Sequence, residues 1–132
     1  MKGVIWQRTA DVQIVDLSHD VTPQNVLEGT LTLERCVPYF PPGTIHVAVI
    51  DPGVGTNRKP MAARLGDCYF VGPDNGLVTG LVRWVDRQGG KKQFVHLNQP
   101  QFWLPEVSNS FHGRDIFAPV AAHLANGVPI EQ

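Results

Sequence analysis

The sequence predicts an α/β fold, layered, with a largely parallel central sheet flanked by helices. Three observations carry that expectation. Short apolar runs alternate along the chain with stretches of helical apolar spacing. With thirteen glycines and eleven prolines the chain is rich in both, and the excess concentrates at 41–43, 51–55, 72–76 and 89–90, between those stretches. The run Thr44-Ile45-His46-Val47-Ala48-Val49-Ile50 is nearly all apolar, as in a central strand covered on both faces. With 132 residues, the chain has the size of one domain spanning 1–132 and is long enough to bury a core without staples.

Each element follows from its own pattern. Gln13 to Leu17 reads as a short strand. Asn25 to Val37 places Val26, Leu27, Leu31, Leu33 and Val37 at helical spacing, with Thr22-Pro23 as its start signal and Pro38 as its stop. The 44–50 strand comes next. Ala62–Leu65 and Cys68–Val71 form two short strands around Gly66-Asp67. Gly76 to Val85 carries Leu77, Val78, Leu81, Val82 and Val85 on one helical face. Gln93 to Leu97 is a strand. Asp115 to Ala125 is a helix with Ile116, Phe117, Val120, Ala121 and Leu124 on one side, closed by Asn126-Gly127.

Composition excludes several classes. Hydrophobic residues make up 42% and charged residues 17%, too apolar for a disordered chain. A formal net charge of −1 lacks the basic footprint of a nucleic-acid binder, so no nucleic-acid partner is expected. No apolar run reaches the ~20 residues of a membrane span, and no membrane partner is expected. Met-Lys-Gly-Val-Ile-Trp runs into polar sequence without a signal-peptide pattern, so the cytoplasm is the expected location. Cys36 and Cys68 have no metal-ligand spacing and read as small buried hydrophobes; no metal is expected.

Ligands of parallel α/β sheets sit at the carboxyl ends of strands. Two polar and glycine-rich segments, Asp51 to Arg58 and Gly72 to Gly76, follow strands, and a third, Ser110 to Asp115, precedes the last helix. Asp51 reads as a turn former with Pro52 or as a carboxylate at the mouth of a cleft, where Gly53 and Gly55 let the backbone approach a ligand. Neither a dinucleotide fingerprint nor a P-loop is present. Arg58 is a solvated surface arginine or a site cation. His112 caps the last helix or belongs to a site. Asp115 reads as the N-cap or first-turn acid of that helix. Asn75 is a turn residue or a hydrogen-bonding partner for a ligand. His19 reads as structural, and His46 and His123 as packing or surface residues.

Five strings, in order, resemble one family. They are MKGVI at 1–5, IVDLSHDVTPQNVLEG at 14–29, YFPPGTIHVAVIDPGVGT at 39–56, YFVGPDNGL at 69–77 and FHGRDIFAPVAAHLANGVP at 111–129. Together they are similar to the S-adenosyl-L-methionine (SAM) hydrolases that form adenosine, also called SAM hydroxide adenosyltransferases, relatives of the fluorinase and chlorinase. The resemblance implies cleavage of SAM at C5′ by water or hydroxide, giving adenosine and methionine, with Asp51, Arg58 and His112 as the catalytic trio. It implies substrate contacts from Gln24, Val54, Asn75, Phe111 and Gly113. The halogenases carry tyrosine where Asp51 and His112 stand, and the fluorinase carries serine at the place of Gly113, so these positions side with the hydrolases.

The chemistry suits such a trio. A sulfonium leaves without protonation, so the task is to hold a nucleophile in line with C5′. Asp51 can accept a hydrogen bond from water, Arg58 supplies a fixed cation, and His112 can donate to or accept from the same water according to its tautomer. No cofactor is needed beyond SAM, the substrate. The family also has an upstream strand with a TDFG-like segment and a ribose-binding aspartate, and a smaller β-rich C-terminal domain. Substrate lies between one subunit's N-terminal domain and its neighbour's C-terminal domain in a homotrimer. On this reading residues 1–132 are a partial N-terminal domain lacking the family's first strand.

Overall fold

The computed structural model describes residues 1–132. The chain runs through helix α1 (Lys2–Arg8), helix α2 (Val26–Cys36), strand β1 (Ile45–Val47), strands β2 (Pro60–Leu65) and β3 (Cys68–Pro73), helix α3 (Thr79–Arg87), strand β4 (Lys92–His96), a π-helical turn at Gly113–Phe117, and helix α4 (Ala118–Ala125). The sheet order is β1-β3-β2-β4.

The layered α/β class holds, but the strand directions differ from the expectation. Only β1 and β3 run parallel; β2 is antiparallel to both β3 and β4. The reason is local. Gly66-Asp67 joins β2 to β3 directly, with Leu65 paired to Cys68, and so short a connection permits only an antiparallel pair. Gly66 takes φ +59 in that turn, a conformation glycine adopts without penalty.

Alternation along the two inner strands splits the core into two layers. Met61, Ala63, Leu65, Cys68 and Phe70 face one side and pack with Leu33, Leu77, Leu81 and Val85 of the α2 and α3 region. Ala62 and Val71 face the other side and pack with Ile116, Phe117, Val120 and Ala121. Covering both faces explains the near-continuous apolar character of β2 and β3. α2 and α3 meet closely at a glycine: a Cβ on Gly80 would lie 2.3 Å from the Thr30 carbonyl oxygen, and the Gly80 N–H donates to Thr30 Oγ1 at 2.7 Å.

Several local expectations change. TIHVAVI forms an edge strand rather than a central one, with regular pairing confined to 45–47. Residues 13–17 form no strand, and Val15 and Leu17 stay exposed. α2 begins after Asn25, whose side chain accepts from the Glu28 N–H at 3.0 Å, rather than at Thr22-Pro23. The chain turns sharply at Gln24, φ 62, before entering the helix. Cys68 is buried, whereas Cys36, at the end of α2, is half-buried. α1, unforeseen, lies against α4, and Asn126 Nδ2 ties it down by donating to the Arg8 carbonyl at 3.0 Å. The Asn126-Gly127 stop is present, with Gly127 at φ 89. No helix is long and apolar enough to cross a membrane.

Candidate active site

Asp51 follows Ile50 where the chain leaves β1. Asn75 fixes that exit: its Nδ2 donates to the Ile50 carbonyl at 2.8 Å, and its Oδ1 accepts from the Leu77 N–H at 3.3 Å. The polar atoms of Asn75 are therefore engaged within the protein.

The 51–58 loop then folds back on itself. The Val54 N–H donates to the Asp51 carbonyl at 3.2 Å, and the Thr56 N–H to the Gly53 carbonyl at 3.0 Å. A Cβ on Gly53 would lie 3.1 Å from Arg58 Cγ, so the glycine makes room for the returning arginine. Gly55, at φ +79, packs against the next loop, where a Cβ would sit 2.8 Å from the Asn109 carbonyl oxygen. This close approach brings the 51–58 loop to the segment carrying His112.

The three residues meet. Arg58 Nε donates to Asp51 Oδ1 at 2.9 Å, and a terminal guanidinium nitrogen donates to Oδ2, forming a bidentate pair. The same terminal nitrogen lies 2.7 Å from His112 Nδ1. The side chains of Arg58 and Asp51 are only 9% and 6% exposed, so the pair is largely desolvated. The Arg58 guanidinium also lies 5.5 Å from the centroid of the fully buried Phe117 ring.

Hydrogen-bond chemistry settles the imidazole tautomer. His112 Nε2 lies 2.9 Å from the Ser108 carbonyl oxygen, which can only accept. The guanidinium at Nδ1 can only donate. Nε2 therefore carries the proton and Nδ1 offers its lone pair to Arg58. Both ring nitrogens of His112 have protein partners, and the carboxylate oxygens of Asp51 retain acceptor capacity beyond the two bonds from Arg58.

Of the two roles expected for Asp115, the structure shows the first-turn acid: it sits inside the π-helical turn and does not cap the helix. Its fully buried carboxylate reaches back to Ser108, with Oδ2 accepting from the Ser108 N–H at 2.8 Å and from Oγ at 2.9 Å. Arg114 Nε donates to Oδ1 at 2.6 Å. The Arg114 guanidinium, helped by the Ser108 N–H and hydroxyl, holds the Asp115 carboxyl down to about 2 although burial opposes this. Sequence reasoning missed Ser108 altogether, since a backbone carbonyl carries no side-chain signal.

Of the other expected contacts, Val54 shares the loop of Asp51 and Arg58, and Phe111 and Gly113 flank His112 in the chain. Val54 is half-buried in the 51–58 loop, and Gln24 is exposed ahead of α2. Phe111 is 61% exposed, with the Arg114 guanidinium 5.1 Å from its ring centroid. The space in front of Gly113 is filled by Met1, whose Sδ would lie 3.1 Å from a Cβ placed there. An open groove of about 850 Å³ contains none of the trio; it is lined by Phe40, His46, Arg64, Asp67, Trp84 and Lys92, among others. No group of three or more His, Cys, Asp or Glu is placed to hold a metal.

Fold and trio together describe an α/β domain carrying a half-buried Asp–Arg–His constellation beyond a strand exit. The family model of the SAM hydroxide adenosyltransferase N-terminal domain matches residues 1–132, and the chain belongs to that family. It is 44% identical over 128 residues to an (R)-S-adenosyl-L-methionine hydrolase of Salinispora tropica, covering 97% of this chain and 48% of that protein. A hydrolase of the same name from Thermus thermophilus is 40% identical, over 99% of this chain and 52% of the relative. A fluorinase of Nocardia brasiliensis is more distant, at 25% identity over 99% of this chain and 50% of its own length. An uncharacterized conserved protein from Thermotoga maritima superposes with a TM-score of 0.90 at 39% identity, over 98% of this chain and 49% of that one. The chain thus spans about half the length of the curated relatives it matches.

Proposed function

We propose that this chain supplies the catalytic residues of a SAM hydrolase that converts SAM and water to adenosine and L-methionine. The observation carrying the proposal is the direct contact of Asp51, Arg58 and His112 in a domain whose relatives at 38–44% identity bear the hydrolase name. Water attacks C5′; the new C5′–O bond forms as the C5′–S bond breaks, and the sulfur keeps the bonding pair to become the neutral thioether of methionine. The proton lost from water passes to Asp51 or to solvent. Asp51 accepts a hydrogen bond from the water and aims it at C5′. Arg58 holds both carboxylate oxygens in place, and His112, spent on Arg58 and Ser108, fixes the guanidinium. The sulfonium leaves without an acid, so the reaction uses no cofactor.

Gln24, Val54, Asn75, Phe111 and Gly113 are proposed as substrate contacts, with Asn75 also shaping the strand exit. A homotrimer in the cytoplasm is the proposed setting, with the remainder of the ligand envelope coming from outside residues 1–132. A halide-using activity is the less favoured reading: a carboxylate at position 51 repels an approaching halide at short range. The product of the complete reading frame, incubated with SAM in chloride buffer, is expected to release adenosine. Release of 5′-chloro-adenosine as the main product would overturn the assignment in favour of a halogenase, and absence of turnover would leave only a non-catalytic role.

A further inference from the structure

We infer that Asp115 and Ser108 are positioning residues that fix the His112 tautomer, and through it the catalytic orientation of Arg58. The inference rests on the hydrolase reading of the trio, but its geometry stands apart from substrate. Asp115 anchors the loop that carries the histidine. Its carboxylate takes the Ser108 N–H and hydroxyl, its own N–H donates to the Phe111 carbonyl at 2.9 Å, and its carbonyl accepts from the Leu104 N–H at 2.9 Å. The Ser108 hydroxyl is used twice, donating to Asp115 and accepting from the Phe111 N–H at 2.9 Å. These bonds pin both ends of the segment 108–111. They leave the Ser108 carbonyl aimed at His112 Nε2, 2.9 Å away.

A chain of single-role partners results. A carboxylate and a carbonyl can only accept, and a guanidinium can only donate, so only the serine hydroxyl and the imidazole have a choice. With Asp115 in place the hydroxyl must donate to it. With the Ser108 carbonyl in place the imidazole must carry its proton on Nε2. Nδ1 is then an acceptor facing Arg58, and the guanidinium is held from two sides, by Asp51 and by His112. The opposite tautomer would set an N–H against a guanidinium N–H and release Arg58 from its second anchor. Asp115 touches neither Asp51 nor Arg58, so its influence on them passes through Ser108 and His112.

The test combines tautomer and turnover. Nitrogen NMR of the imidazole in the product of the complete reading frame is expected to find His112 protonated at Nε2 and unprotonated at Nδ1 at neutral pH. Asp115→Asn is expected to give mixed tautomers and to lower kcat about 10- to 100-fold, with KM held within roughly twofold. Ser108→Ala, which removes one of the two Ser108 bonds to Asp115, moves both readouts in the same direction by less, and Ser108→Thr restores them. If Asp115→Asn does not fold, the serine pair carries the test. An Nδ1–H tautomer in the unmodified protein overturns the inference, as do Ser108→Ala and Asp115→Asn with unchanged tautomer and kcat. Absence of adenosine from the unmodified protein defeats the hydrolase reading, while the tautomer measurement still decides the positioning role.

Discussion

Two histidines, one within β1 and one beyond its exit, are held in opposite ways. Within the strand, His46 is 5% exposed, meets Phe40 edge-on at 5.9 Å between centroids, and leaves Nε2 without a partner. Burial pushes its imidazole down to about 4. Beyond the strand exit, His112 is only half-buried, yet both its nitrogens are engaged and it joins a bidentate ion pair. His46 combines a perturbed imidazole with the wall of the groove of about 850 Å³, yet has no polar partner. His112 has convergent partners with complementary donor and acceptor roles. Burial alone marks packing, whereas such convergence marks a constellation able to do chemistry.

The largest effect is expected at the ion pair. Asp51→Ala leaves the Arg58 charge buried without its carboxylate, and the expected loss is about 3–5 kcal/mol in denaturant unfolding. Adenosine formation is expected to fall by about 10²–10⁴-fold in the same variant. The Asp51→Ala, Arg58→Ala double variant should lose less stability than the two single losses added together; strict additivity would mean that the pair does not act as a unit.

Acid separates the two histidines next. His46 stays neutral in the fold down to about 4, while a free imidazole takes its proton near 6.5. The unfolded chain therefore binds the proton first, and stability is lost as pH falls from about 6.5 to about 4. The loss is on the order of 2–3 kcal/mol and should disappear in His46→Phe. Asp115 acts in a lower window. Its carboxyl is depressed to about 2, so its contribution is present above the free carboxylate value of about 4 and is lost as pH falls through about 2. Unfolding free energies measured across this range should show the two windows in that order.

A smaller effect is expected where the two loops touch. Gly55→Ala places a Cβ against the Asn109 carbonyl at a positive φ, and about 1–3 kcal/mol of destabilisation should follow. Because the strain lies between the loops bearing Arg58 and His112, activity should fall in a variant that is still folded at room temperature. Smallest of all is Glu34→Ala. Glu34 pairs at the surface with Arg83 and Arg87 at 3.3 and 3.2 Å, and its loss should leave the melting midpoint within experimental error.

How much was legible in the sequence follows from how local each determinant is. The β2–β3 hairpin, α3, and the Asn126-Gly127 stop of α4 are written in neighbouring residues and appear near where the pattern puts them. Strand direction is a long-range property. Alternating elements suggested parallel pairing, but the two-residue turn at Gly66-Asp67 decided otherwise. The strand expected at 13–17 failed because alternation alone creates no hydrogen-bonding neighbour. α1 was missed because seven residues without a side-chain N-cap give little signal. At the site, the trio was named through the family strings, and Gly53 and Gly55 indicated a tight loop. The roles of Ser108 and Asp115 were hidden, since they depend on a carbonyl direction and on a carboxylate pointing away from its own helix. The occupation of the space before Gly113 by Met1 likewise arises only from tertiary packing.

If the Asp51–Arg58–His112 constellation directs water onto C5′ of SAM, turnover in ¹⁸O-labelled water by the product of the complete reading frame, alongside its Asp51→Asn variant, shows it. Adenosine carrying one labelled oxygen at the 5′ position is expected, released together with an equal amount of methionine, at a rate reduced about 10²-fold or more in the variant. Unlabelled adenosine, or an Asp51→Asn variant that turns over as fast as the unmodified protein, would contradict it.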